Sequence, residues 1–253
     1  MSVIGTTRIL LDVSHNERLT TFSDTVFDPQ YALFSFNDPS DSLTDLTILK
    51  KYNLILIGNP IPRKNPEEKL FTGEDVNTLK RYVIEGGAIL LTVGSRGDYD
   101  FPINTGSIRA LVGLTGVQQF PYGLLLNPQK AYFTEKKYNL TLSPAKGNTI
   151  LSPEWENPVI FGKATYLIRD PEIPTKAVLF SPPATQYHDY ARDQNIPLQR
   201  SPLLLLRELG EGRVATVSCT QFLTEDPITG VSAGSNRDFI IKLFSWLMQK
   251  KLR

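Results

Sequence analysis

In the first part of the chain, apolar residues fall into short unbroken runs, each closed by a polar or glycine-rich break. Arg8 to Ser14 (RILLDVS) has the pattern of a strand buried on both faces. Tyr31 to Phe36 (YALFSF) predicts a second strand, Ser42 to Tyr52 a short helix, and Asn53 to Gly58 a third strand halted by Asn59-Pro60-Ile61-Pro62. Thr72 is a suitable N-cap, and Glu74 and Asp75 suit the first turn of a helix whose Val76, Leu79 and Val83 share one face. Gly86-Gly87 ends that helix and Ala88 to Gly94 starts a fourth strand at once. Strands and helices alternating at this spacing predict βαβ crossovers and a mostly parallel sheet.

Ser107 to Leu114 predicts a further short helix. From about 117 to 200 the periodicity weakens and prolines and aromatics are frequent. Strand-like pieces remain at Val159 to Phe161, Ala164 to Ile168 and Ala177 to Phe180, and the polar stretch Gln186 to Asn195 has the composition of a mobile loop. Order returns with a hairpin, Leu203 to Glu208 and Arg213 to Ser218 around Gly210-Glu211-Gly212. A last helix, capped by Ser235 or Asn236, carries Phe239, Ile240, Leu243, Phe244 and Leu247 as a stripe that reads as core packing. The expectation is a single three-layer α/β domain over residues 1–253. Its mostly parallel, flavodoxin-like sheet has antiparallel edge strands, and residues 117–200 form an irregular, insertion-like region.

Charge adds little pull toward any partner: 27 Lys and Arg face 26 Asp and Glu, which gives no general attraction to nucleic acid or anionic lipid. The lone Cys219 cannot close an internal disulfide, and two histidines, His15 and His188, supply no metal-ligand spacing, so neither metal nor cofactor is expected. No apolar run approaches the length of about 20 residues that spans a bilayer, and the N-terminus lacks the regions of a secretory signal. A cytoplasmic protein is the expectation.

In an open parallel sheet, ligands sit at the carboxyl ends of the strands. That rule selects Ser14, His15 and Glu17 after strand one, Asn59 after strand three, Ser95, Arg96 and Asp98 after strand four, and Thr220 and Gln221 after the late hairpin. Ser95 occupies the place of a nucleophile on a strand-to-helix elbow. A serine nucleophile needs a base, and neither His15, with Glu17 two residues on, nor His188, beside Asp189, has the surroundings of an oriented one. The plainer reading is a glycine turn with a small polar residue. Cys219 reads as a small buried hydrophobe, and Asp98 with Asp100 as a solvated pair.

The blocks Asp12-Val13-Ser14-His15-Asn16-Glu17, Phe71 to Val76 through Gly86-Gly87 to Gly94, Gly212 to Cys219, and Phe239 to Leu247 together resemble the GIFT domain family. This family is the N-terminal domain of intraflagellar transport protein 52 and its gliding-motility relatives, within the class I glutamine-amidotransferase-like superfamily. The superfamily's amidotransferases carry a cysteine at the elbow and a His-x-Glu after a late strand. Here those places read Ser95 and Thr220-Gln221-Phe222. The resemblance therefore implies a non-catalytic binding or scaffold domain, engaging a protein partner or a small polar ligand at the sheet edge. Two alternatives stay open: a Ser95 hydrolase using His15, or a carbohydrate-binding domain with Tyr99, Phe101 or Tyr122 as platforms. Since the chain stops at Arg253, a stand-alone protein is expected as readily as a segment of a longer one.

Overall fold

Strands that are apolar at every position need cover above and below, and the computed structural model supplies both layers. It describes residues 7–14, 31–36, 43–58, 71–95, 105–143 and 157–249. The first elements are β1 (Thr7–Asp12), β2 (Tyr31–Phe36), α1 (Leu46–Leu49), β3 (Leu54–Ile57), α2 (Gly73–Ile84), β4 (Ala88–Thr92) and α3 (Thr105–Gly113). Next come β5 (Val117–Gln119), β6 (Gly123–Leu126), β7 (Asn139–Leu142), β8 (Val159–Gly162), β9 (Ile168–Arg169) and β10 (Lys176–Phe180). The chain closes with β11 (Gln186–Asp189), β12 (Gln194–Pro197), β13 (Pro202–Leu209), β14 (Gly212–Val217) and α4 (Asn236–Met248).

Among the described residues the main sheet runs β10-β13-β14-β4-β3-β1-β2. The neighbours from β14 to β2 pair in parallel, whereas β13 and β10 join antiparallel. The predicted α/β class and its antiparallel edge are therefore present. Alternate residues of one strand go to opposite cores: Leu10, Ile55, Ile89 and Val214 pack with Leu79 and Val83 of α2. Ile9, Leu54, Leu90 and Ala215 pack with the α4 stripe of Phe239, Ile240, Leu243, Phe244 and Leu247. That stripe is buried and contributes on the order of 10 kcal/mol before ordering costs.

Thr72 caps α2 as its sequence suggested: its hydroxyl accepts the Asp75 N–H at 3.1 Å while the Asp75 carboxylate accepts the Thr72 N–H at 2.8 Å. At the other end Gly86 adopts φ +106, and a Cβ on Gly87 would lie 2.3 Å from the ring of Tyr82. Only glycine lets the chain turn there and pass under that ring.

Four expectations change. The helix predicted over Ser42 to Tyr52 shrinks to α1, because the Asp45 carboxylate takes the N–H groups of Thr47 and Ile48 and starts it late. The piece Ala164 to Ile168 pairs regularly only at β9, since the Ala164 carbonyl accepts from Leu125 and the Thr165 N–H goes to Ser218. The segment read as a loop, Gln186 to Asn195, belongs to a hairpin: β11 lies between β6 and β12, with Tyr187 buried between more exposed neighbours. Its polar composition concealed the period of two. Pro197 is tolerated in β12 because that strand is an edge, where a missing N–H faces outward. Finally, Ser235 occupies the N-cap of α4 without a side-chain cap bond, and Asn236 bonds elsewhere. Among the described residues, no helix is long and apolar enough to cross a membrane.

Candidate functional site

β4 and β14 pair in parallel through Val217 and Thr92, so their carboxyl ends emerge side by side. Beyond those ends lies a cleft of about 560 Å³. Gly94 and Ser95 line it from β4, and Thr220 and Gln221 from β14. Gly162 and Lys163, at the end of β8, with the loop Thr224, Glu225 and Asp226 form the remaining wall.

Ser95 is only 9% exposed, and its hydroxyl has no hydrogen-bond partner among the described residues. The Thr220 hydroxyl donates to Thr92 Oγ1 at 3.2 Å, tying the two strand ends together. Gln221 opens a short 3-10 turn, and its Oε1 lies 3.5 Å from the Thr229 hydroxyl. A Cβ on Gly162 would meet that same oxygen at 2.2 Å, so glycine is what lets β8 close against Gln221. The next residue, Lys163, sits at φ 51, a left-handed conformation that costs an L-residue about 1–2 kcal/mol.

Asp226 braces the wall, its Oδ1 accepting the N–H groups of Ile228 (3.0 Å) and Thr229 (2.8 Å) and the Thr229 hydroxyl (2.9 Å). Burial alone would raise this carboxyl, but those donors and the nearby Lys163 ammonium outweigh it and hold it below its ordinary value. Asn236 fastens the same wall from behind. Its Oδ1 accepts the Ile160 N–H at 2.7 Å, and its Nδ2 faces the carbonyls of Ile160 (2.9 Å), Thr229 (3.0 Å) and Gly230 (2.8 Å). One amide thus joins β8, the 229–230 turn and α4.

Of the sequence candidates, Ser95, Thr220 and Gln221 come together at this cleft. Ser14 instead closes a turn after β1, its hydroxyl donating to the buried Asp12 carboxylate at 2.6 Å. His15, Glu17, Asn59, Arg96 and Asp98 lie outside the described residues, as do Asp100, Tyr99 and Phe101. Tyr122 belongs to a different cleft of about 580 Å³, beside Tyr166 and Tyr187. His188 is spent in the β11–β12 hairpin, 2.9 Å from Asn195 Oδ1 and 3.6 Å from Asp193. Cys219 donates its thiol to the Gly162 carbonyl at 3.2 Å, and burial pushes the thiol up to about 12. It stays protonated at neutral pH and is no nucleophile.

Lys163 and the Thr224–Asp226 loop were missed at the sequence level. The strand-end rule singles out the parallel strands, whereas the end of antiparallel β8 also opens here. Among the described residues the cleft offers hydroxyls, one amide, one ammonium and two carboxylates, but no imidazole. The better-held carboxylate, Asp226, is a weakened base.

The fold is that of the mmIFT52 N-terminal domain, with a TM-score of 0.72 at 17% identity, covering 98% of this chain and 100% of that one. A putative ThuA-like protein from Bacteroides uniformis ATCC 8492 aligns at TM-score 0.58 and 11% identity over 95% of this chain and 90% of that one. The cytoplasmic protein STM3548 from Salmonella typhimurium aligns at 0.55 and 9% over 95% and 98%. No protein-family model matches the chain, and no curated protein matches its sequence. At such identities the likeness is one of fold.

Proposed function

We propose that this chain is a non-catalytic binding module of the cytoplasm, holding a protein partner or a small polar ligand at the cleft beyond β4 and β14. The observation that carries the reading is Gln221. Its amide lines the same cleft as Ser95, close to Thr229 and packed on Gly162, at a strand end where acyl-transfer chemistry would need a proton acceptor. His188 is engaged elsewhere and Cys219 is locked as a thiol. The fold of the mmIFT52 domain agrees with a scaffold role, and the Salmonella neighbour described as cytoplasmic agrees with the compartment.

A second reading, a serine hydrolase, draws on the Ser95 hydroxyl at the cleft, which has no hydrogen-bond partner among the described residues. One pair of experiments separates them. Purified protein incubated with glutamine and with p-nitrophenyl acetate should show no saturable turnover above that of Ser95→Ala. Partner capture from cell extract should survive Ser95→Ala and be lost in Thr224→Arg, which fills the cleft. Saturable hydrolysis abolished by Ser95→Ala would replace the binding reading with the enzymatic one.

A further inference from the structure

A further pocket, of about 500 Å³, lies among the β10–β11 connection, the β12–β13 connection and the neighbourhood of β7. Its floor is apolar, with Phe180, Pro182 and Leu198. Its polar groups are the hydroxyls of Tyr132, Thr141, Ser143 and Ser181 and a single charged side chain, Arg200. No carboxylate lines it among the described residues.

The Arg200 guanidinium lies over the Phe180 ring, 4.3 Å from its centroid. A guanidinium held over a ring face keeps N–H donors that the ring does not use, which is how arginine can be presented to a two-oxygen anion. The backbone on either side is latched: the Ser181 N–H donates to the Ser201 carbonyl at 2.9 Å, and the Ser201 N–H to Ser181 Oγ at 3.0 Å. Ring and guanidinium are thus held next to each other by their own neighbours.

The 182–185 part of the lining is held by its own bonds. Ala184 sits at φ 59, a strained conformation for alanine. Two bonds of the buried Asn127 amide secure it, to the Pro183 carbonyl at 2.8 Å and Thr185 Oγ1 at 3.2 Å. The Thr185 hydroxyl in turn donates to the Pro182 carbonyl at 2.7 Å. These bonds hold the strained backbone of Ala184 in place at the pocket mouth.

We infer that this pocket binds a small organic oxyanion, a carboxylate or phosphate monoester on an apolar body, through the open edge of Arg200. The anion takes the guanidinium N–H groups, neighbouring hydroxyls complete its shell, and the apolar body rests on Leu198 and Pro182. The site is separate from the strand-end cleft, which shares none of its lining residues.

Isothermal titration with phenyl phosphate, benzoate and the neutral analogue benzyl alcohol tests it. Saturable binding of the two anions with Kd at or below about 1 mM is expected, with none for benzyl alcohol. Arg200→Ala should weaken phenyl phosphate by on the order of ten- to a hundredfold, and Arg200→Lys by less, since charge remains while the fork is gone. Arg200 is exposed, so neither change threatens folding. Ser95→Ala and Thr224→Arg should leave this binding unchanged, keeping it distinct from the strand-end cleft. Undiminished binding of phenyl phosphate by Arg200→Ala would overturn the inference, as would the absence of saturable binding by the wild type up to about 10 mM.

Discussion

Replacing Asn236 by alanine removes one side-chain amide from a site with no exposure to solvent. The loss strands the Ile160 N–H, bonded to Oδ1 at 2.7 Å, and the carbonyls of Thr229 and Gly230, which face Nδ2 at 3.0 and 2.8 Å. Two amide hydrogens cannot serve three carbonyls equally, so three good bonds, not four, are lost. At about 1 kcal/mol each, and more where a buried group finds no water, destabilisation should be about 3–4 kcal/mol. For a chain of this size that is a fall in Tm of roughly 6–16 °C. Urea unfolding followed by circular dichroism measures it. Asn236→Asp is the sharper variant, since it sets a carboxylate against carbonyl oxygens. Such a group has its folded pKa raised above the unfolded value, so its stability relative to alanine is greatest at low pH and declines as pH rises through the unfolded pKa of about 4. A loss below about 1 kcal/mol in Asn236→Ala would refute the view that this amide binds α4 to the cleft wall.

Gly87→Ala places a methyl 2.3 Å from the Tyr82 ring, and should destabilise by about 2–3 kcal/mol in urea unfolding. Combined with Tyr82→Leu the two changes should be far from additive, and additive costs would count against the clash. Burial raises the Cys219 thiol to about 12, so the unfolded chain sheds that proton first as pH climbs above about 8.5. Native stability should therefore fall between about pH 8.5 and 12 by about 1.4 kcal/mol per pH unit more in wild type than in Cys219→Ala, and equal slopes would contradict the buried thiol. The Asp226 carboxyl is held below its ordinary value, so its contribution is present at neutral pH and is lost as pH falls through that lowered midpoint. Carbon-13 NMR should find the midpoint lower than that of a free aspartate and moved upward by Lys163→Ala; an unmoved midpoint removes the lysine from the explanation.

The parallel half of the fold was legible because each strand there is covered on both faces. Ile9-Leu10-Leu11 and Leu54-Ile55-Leu56 then have no polar alternation to confuse with a helix, and Thr72, Asp75 and Gly86 mark helix ends by chemistry local to them. The region from 117 to 200 was opaque for the opposite reason. β11 and β12 show polar side chains to solvent, β5 and β9 are two or three residues long, and their partners lie far along the chain. Only pairing reveals such strands. The same division runs through the cleft. Ser95, Thr220 and Gln221 follow parallel strands and were found by the strand-end rule, while Lys163 and Asp226 arrive from an antiparallel strand and an irregular loop.

That late-arriving wall also bears on what the cleft can do. A hydrolase needs a positioned base that takes a proton from the nucleophile and returns it to the leaving group. The rest of the cleft lining is closely held: Gly162 admits no side chain against Gln221, Asp226 has three donors on one oxygen, and Asn236 anchors the backbone behind both. Rigidity of this kind reduces the ordering cost of holding a ligand. It leaves Lys163 and the Ser95 hydroxyl as the polar groups most free to meet one, the first on the rim and the second at 9% exposure within. A wall fixed this firmly, with its carboxylate made less basic, suits the binding role proposed for the cleft, in which Gln221 and Asp226 hold a ligand in place.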